Sequence, residues 1–178
     1  MKKVVLLILV SAFLLTGCMN LNNKPINVVE DLLYKYQTLD DDVTRELNES
    51  LTNTDYTDNQ KEEYLKIMKK QYGSLTYKIK DDIIDGGKAT VICEITVLDY
   101  YKALKDANDY YVNHLDEFRD DNYTKFLSYK LEKLSSVKDK IVYTINFSLT
   151  MNDNKWQLDK LSNEVLDKIS GVYAYWKK

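Results

Sequence analysis

The residues in this chain that could carry chemistry are few: two cysteines, one histidine and a run of three aspartates. Cys18 directly follows an apolar run and a glycine near the N-terminus, whereas Cys93 lies in an alternating apolar segment typical of a strand. A thiol inside an apolar strand is usually structural and unreactive. The sequence therefore assigns chemistry to Cys18, and the residues around it indicate which chemistry.

The N-terminal segment has the three parts of a secretory signal peptide. Lys2 and Lys3 form a positive start, residues 4–15 form an apolar run in which Ser11 is the only polar residue, and small residues and Cys18 follow. The run is shorter than the about 20 apolar residues that a transmembrane helix needs. A buried first element of a cytosolic domain is the alternative, but it explains neither the flanking lysines nor the Gly-Cys end.

The stretch Leu15-Thr16-Gly17-Cys18 resembles the lipobox of bacterial lipoproteins. Leu15 and Thr16 match its first two positions, Gly17 the small residue before the cleavage site, and Cys18 the lipidated residue. The resemblance implies cleavage between Gly17 and Cys18 and a diacylglyceryl thioether on the Cys18 sulfur, with fatty acids such as palmitate in the bilayer. Two or more acyl chains anchor a protein stably, whereas one binds reversibly. We therefore expect a lipid-anchored protein on the extracytoplasmic face of the cell membrane.

The domain organisation follows from this interpretation. Residues 1–17 are the predicted lipoprotein signal peptide, residues 18–25 a lipidated tether closed by Pro25, and residues 26–178 a single domain large enough for a core. The chain carries 25 basic and 28 acidic side chains, a balance that argues against nucleic-acid binding.

Other chemistries have weaker signals. Asp40-Asp41-Asp42 suggests either a calcium site or a solvated acidic helix face, and His114 is a single histidine without a Cys/His cluster around it. We therefore predict no metal site and no cofactor. The fifteen tyrosines suit pocket walls and interfaces, although an AT-rich genome produces the same composition.

Apolar periodicity predicts the order helix, helix, β-hairpin, helical insert, β-hairpin and short helix. The predicted helices run over about 27–51 with Asn27 and Glu30 as a capping pair, from Thr57 or Asp58 to Gly73, over one or two helices in 99–136, and from Ser162 to Gly171. The apolar face of the insert's second half reads Phe126, Leu127, Lys130, Leu131 and Leu134.

Two predicted hairpins supply the sheet. The first alternates from Leu75 to Lys80, turns at Asp85-Gly86-Gly87 and returns with Ala89, Val91, Cys93, Ile95 and Val97 inward. The second alternates over residues 141–151, turns at Asn152-Asp153-Asn154 and returns with Trp156 and Leu158 inward.

This arrangement resembles the NTF2-like fold, a cone of N-terminal helices packed on a curved antiparallel sheet, here with a helical insert. Nuclear transport factor 2, ketosteroid isomerase and scytalone dehydratase share that fold, and the chain also resembles Firmicutes lipoproteins of unknown function that have it. The resemblance rests on packing patterns in Leu75–Lys80, Lys88–Ala103, Val142–Ile145, Lys155–Leu158 and Ile169–Tyr173. It implies a fold and a location but no substrate.

The inward positions of the predicted strands contain no Asp, Glu, Lys or His. An isomerase needs a titratable group in its pocket, so we predict no catalytic residue. Tyr77, Tyr143, Phe147 and Trp156 are the candidates to line a pocket, if the cone is open rather than filled. Among helix residues, Glu30, Asp31 and His114 are the least implausible bases.

We therefore expect a non-catalytic binding or scaffold module of the cell envelope. Its partners are the bilayer, through acylated Cys18, and a protein or a small apolar ligand. Two alternatives remain: a component of an envelope or secretion assembly, and an isomerase- or dehydratase-like enzyme acting on a small apolar ligand.

Overall fold

The computed structural model describes residues 23–118 and 122–174. In these residues six α-helices pack on a four-stranded antiparallel sheet, so the predicted α+β class is confirmed. The helices are α1 (Pro25–Thr38), α2 (Asp41–Ser50), α3 (Asp58–Gly73), α4 (Tyr100–Asn113), α5 (Asn122–Ser136) and α6 (Asn163–Ser170). The strands are β1 (Thr76–Asp85), β2 (Lys88–Leu98), β3 (Lys140–Asn152) and β4 (Lys155–Leu158). The predicted signal peptide and the lipidation site lie outside the described residues.

The first predicted helix is wrong as a single element, because it is two helices. α1 begins at Pro25, whose fixed φ suits a first helical position, so the predicted capping pair Asn27 and Glu30 is also wrong. Leu39 takes a left-handed conformation (φ 55°) and ends α1. The Asp40 carboxylate then caps α2 by accepting a hydrogen bond from a backbone N–H at 3.0 Å. The helix is interrupted here because aspartate stabilises the start of a helix better than its interior.

The other predicted helix ends agree more closely. Thr57 caps α3 in a reciprocal capping box with Gln60, and Ser162 caps α6, which ends at Gly171 with φ 75°. Gly73 is the last residue of α3, but it does not adopt the left-handed conformation expected of a C-cap glycine.

The four strands pair in sequence order, each antiparallel to the next. Both tight turns fall where glycine and asparagine predict them: Gly86 has φ 56°, and Asp153 and Asn154 have φ 48° and 59°. Phe147 and Ile145 are each 1% exposed, which confirms their predicted core positions. This face of the sheet packs against α1 and forms the main core, whereas the opposite face is largely polar.

The helical insert between β2 and β3 consists of α4 and α5, joined in part by a 3₁₀ turn at Leu115–Phe118. The two helices pack against each other, and α5 also packs against α3. This contact produces a second core, which has the buried residues Leu47, Ile67, Met68, Leu98, Tyr100, Leu131 and Leu134.

Gln71 joins α3 to the end of β2. Its carboxamide is fully buried; the oxygen accepts a hydrogen bond from the Leu98 N–H at 2.9 Å, and the nitrogen donates to the Leu98 carbonyl at 3.1 Å. β1 begins at Thr76 opposite Thr96, so Leu98 lies beyond the end of its neighbouring strand. The side chain of Gln71 therefore takes the place of a strand partner at the end of β2.

Candidate functional site: a tyrosine-lined pocket between helices

The four residues predicted to line a pocket all belong to the main core. Phe147 is 1% and Trp156 7% exposed, and Tyr77 and Tyr143 pack half-buried against the same cluster. Side chains therefore occupy the space between the sheet and α1 where these residues lie.

Neither of these tyrosines makes a hydrogen bond to a titratable side chain among the described residues. The Tyr143 hydroxyl is buried without a hydrogen-bond partner there, and burial raises the pKa of Tyr143 to about 12. Burial also raises the pKa of Tyr77, with a smaller contribution from the Glu30 carboxylate on α1. His114 lies elsewhere, after α4, where its Nδ1 is 2.9 Å from the Tyr110 carbonyl oxygen and its ring stacks on Tyr110.

Two carboxylates of the acidic triplet, those of Asp40 and Asp42, form ion pairs. Asp42 lies 2.8 Å from the Arg45 guanidinium and 3.5 Å from the Lys35 ammonium, and these two cations lower its pKa. No group of His, Cys, Asp or Glu side chains in residues 23–118 and 122–174 is arranged to hold a metal ion. Cys93 is buried in β2, and burial raises the pKa of its thiol to about 11.

A different site emerges in the helical layer, at the second core. A pocket of about 340 Å³ opens between α2, α3, α4, α5 and the end of α6, a volume at the lower end of the range for small-molecule sites. Its described lining residues are Ser50, Leu51, Thr54, Tyr56, Tyr64, Met68, Tyr100, Leu104, Lys130, Leu134, Ser170 and Val172.

Hydrogen bonds hold the floor and walls of this pocket. The Tyr100 hydroxyl donates to the Ile67 carbonyl at 3.0 Å and fixes the start of α4 against α3. Gln60 on α3 donates from Nε2 to the Thr124 carbonyl and the Ser128 hydroxyl of α5, both at 2.9 Å. These contacts make the cavity largely preformed.

Aromatic side chains form one wall. Tyr56, in the loop before α3, and Tyr64, on α3, have ring centroids 5.8 Å apart. Their hydroxyls make no hydrogen bond to any described residue, and burial raises the pKa of both, for Tyr56 to about 12. Both phenols are therefore protonated near neutral pH and can donate a hydrogen bond to a ligand.

Lys130 on α5 is the one formally charged side chain among the described lining residues. Its Nζ lies 5.6 Å from the centroid of the Tyr56 ring, and burial lowers its pKa. The pocket therefore combines an apolar, aromatic wall with a single cation, an arrangement suited to binding a ligand that is mostly apolar.

Two larger depressions on the surface are lined by several charged side chains of both signs. In the one of about 540 Å³ beside α3 and α5, Lys70 already donates to the carbonyls of Ser135 and Val137. In the one of about 620 Å³ beside α1, α2 and β4, Lys35 and Arg45 already pair with carboxylates.

Sequence reasoning did not identify this pocket. The available signal was Lys130, which interrupts the apolar face of α5 between Leu127, Leu131 and Leu134. Nothing in the sequence indicated Tyr56 as a lining residue, because it lies in a polar turn that has no hydrophobic periodicity.

In the described ranges, none of the helices combines the length and apolarity needed to cross a membrane. No family model matches the chain, and no curated protein and no solved structure is significantly similar to it.

Proposed function

We propose that this chain is a lipoprotein anchored through Cys18 at the extracytoplasmic face of a cell membrane, and that its folded part is a non-catalytic binding module. The observation that carries the binding role is the preformed pocket with its aromatic wall and single lysine. The pocket residues are of types that bind and orient a ligand, and no carboxylate or imidazole stands among the described lining residues.

The anchoring proposal rests on the lipobox-like residues 15–18, and the start of the domain limits how far the domain can lie from the lipid. The Asn23 side chain accepts a hydrogen bond from the Trp156 N–H at 3.1 Å and donates to the Asn154 carbonyl. Asn23 follows Cys18 by five residues, so the tether reaches at most about 18 Å from the lipid to this contact. The proposed anchor therefore keeps the start of the domain close to the membrane surface.

We propose that the fold is NTF2-like. Helices α1 and α3 precede the sheet, β2 pairs along its whole length with β3, and α4 and α5 form the insert between them. This order is the support for the proposal.

Fatty-acid labelling tests the anchor. Cells that express the chain are grown with an alkyne-tagged palmitate, and labelling of the wild type is compared with Cys18→Ala and with Cys93→Ala as the matched control. We expect label in the wild type and in Cys93→Ala and none in Cys18→Ala. Label that survives in Cys18→Ala contradicts the anchor.

Co-purification tests the binding role. Leu104→Trp places a larger side chain in the pocket, and Val112→Trp adds the same group at an exposed position of the same helix. The full chain is purified from membranes, its melting temperature is measured, and small molecules extracted from it are identified by mass spectrometry. We expect a compound enriched with the wild type and Val112→Trp and depleted with Leu104→Trp. Equal recovery from all three contradicts a binding role for this pocket.

A second candidate function is that of a component of an envelope assembly. It is favoured by exposed apolar side chains where the end of α4 and the start of α5 meet. Val112, Leu115 and Tyr123 are each more than half exposed. A photocrosslinking residue at position 115 tests it, with position 144 on the polar sheet face as the control. Capture of one envelope protein from position 115 alone supports this role, and identical products from both positions contradict it.

A further inference from the structure

Lys130 is a cation without a partner of opposite charge among the described residues. Its ammonium makes no hydrogen bond and no ion pair with them. It makes a cation–π contact with the Tyr56 ring. Lys168, which is also partly buried, is paired by contrast: it donates to the Thr144 carbonyl and pairs with Glu164 at 3.0 Å. Lys130 has no such partner, and it is the one charged side chain among the described residues that line this pocket.

A contribution to the stability of the fold does not explain why an unpaired lysine stands at position 130. Lys130 lies on the face of α5 that carries Leu127, Leu131 and Leu134, which are all buried in or beside the second core. Burial lowers its pKa, so the ammonium is disfavoured by its surroundings. An apolar side chain of the same length would avoid that cost, because a partly buried charge without a counter-charge destabilises the fold.

We propose that the pocket binds an amphiphilic carboxylate, whose head pairs with the Lys130 ammonium and whose apolar or aromatic body lies against Tyr56, Tyr64 and Met68. This inference rests on the proposed binding function and names the ligand class of the same pocket. The Tyr56 and Tyr64 hydroxyls, which bond to no described residue, are available as donors to the carboxylate oxygens.

The surroundings favour a singly charged head over a phosphate. The cation is a lone lysine, whereas a phosphate dianion is typically held by arginine or by several donors. Ser50 and Ser170, the last residues of α2 and α6, also line the pocket. Helix C-termini carry partial negative charge, so they oppose a second negative charge on the ligand.

The size of the cavity limits the apolar body. About 340 Å³ is at the low end for small-molecule sites, so it suits one ring or a short chain rather than a lipid with two acyl chains. A phenyl ring can also stack on the tyrosine wall.

Three probes with the same body and different heads test the inference: phenylbutyrate, phenylbutanol and phenylbutylammonium. The full chain is reconstituted in phospholipid nanodiscs, and each probe is titrated by calorimetry with empty nanodiscs as the blank. We expect phenylbutyrate to bind about tenfold or more tightly than phenylbutanol, and phenylbutylammonium to bind most weakly, because only the carboxylate gains a charge-assisted hydrogen bond.

Variants assign the preference to Lys130. Lys130→Met should remove the advantage of phenylbutyrate and leave phenylbutanol binding unchanged, and Lys130→Arg should keep the advantage. Lys133→Met is the matched control, because Lys133 lies one turn later on α5, 4.8 Å from the centroid of the Tyr129 ring, and does not line this pocket. It should bind all three probes as the wild type does.

Each failure has a distinct meaning. Equal affinity of the wild type for acid and alcohol, or an acid preference that survives Lys130→Met, overturns the carboxylate inference and leaves the binding function intact. Binding of none of the three probes also overturns the inference, and the Leu104→Trp co-purification result then decides separately whether the pocket binds any ligand.

Discussion

Replacing Gln71 with methionine tests whether this one side chain holds α3 to the end of β2. Methionine has a similar length and fits an apolar site, but it has no amide. The change leaves the Leu98 N–H and carbonyl without the partners they have at 2.9 and 3.1 Å, in a place where the side chain of Gln71 is fully buried. Each buried group left unpaired costs about 1–3 kcal/mol, so we expect the free energy of unfolding to fall by roughly 2–6 kcal/mol.

That loss is a large part of the about 5–15 kcal/mol that stabilises a typical domain. It should also loosen the floor of the pocket, because Tyr100 follows Leu98 by two residues and packs in the same second core. Gln37→Met is the matched control: Gln37 is only half-buried and makes one hydrogen bond, from Nε2 to the Leu75 carbonyl at 2.8 Å. We expect that variant to lose about 0.5–1.5 kcal/mol.

Urea titration of the wild type and both variants, followed by circular dichroism, provides the measurement. Free energies come from linear extrapolation, and similar slopes ensure that the same surface is exposed in each protein. If Gln71→Met loses no more stability than Gln37→Met, the amide does not act as a strand partner and the reasoning is refuted.

The same titration checks three further expectations, and a thiol assay checks a fourth. Tyr143→Phe removes a buried hydroxyl that has no hydrogen-bond partner among the described residues. The free energy of unfolding should therefore stay the same or rise, by about 3 kcal/mol at most. Tyr100→Phe removes the bond to the Ile67 carbonyl and should cost about 0.5–1.5 kcal/mol, so equal effects of the two changes contradict this difference. Phe147→Ala should cost about 3–5 kcal/mol, and an unchanged midpoint contradicts its core position. Burial raises the pKa of Cys93 to about 11, so in protein that lacks the other cysteine this thiol should react with a disulfide reagent at about pH 8 only after unfolding; equal rates in the native and unfolded protein contradict its burial.

The strands were predictable because their period is local. Alternation along β3 specifies which residues face the core, and the Asp85-Gly86-Gly87 sequence specifies a turn with positive φ at Gly86. The capping boundaries of α3 and α6 were predictable for the same reason, since Thr57 and Ser162 bond to backbone groups within three residues.

The break after α1 and the pocket were not predictable in this way. The apolar stripe continues from α1 into α2 through Leu39, so periodicity alone does not reveal that this residue turns left-handed. The pocket draws residues from five helices, and from the segments that follow α2 and α6, that lie up to about 120 positions apart. Only their tertiary packing brings Lys130 over the Tyr56 ring. Gln71 was missed because its partner, Leu98, is twenty-seven residues away.

The tether and the pocket together constrain where the proposed ligand comes from. Asn23, which lies in the proposed tether, bonds to the β3–β4 turn, and the Met151 N–H donates to the Gly87 carbonyl at 2.8 Å, so both hairpin turns lie at this end of the sheet. β2 leaves this end and extends for 11 residues, about 35 Å, before α4 begins at the pocket floor. If the domain is anchored through Cys18 as proposed, its pocket lies at the opposite end of the sheet from the tether. That placement, together with a cavity of about 340 Å³, favours a short amphiphilic carboxylate that reaches Lys130 through water over a lipid of the bilayer.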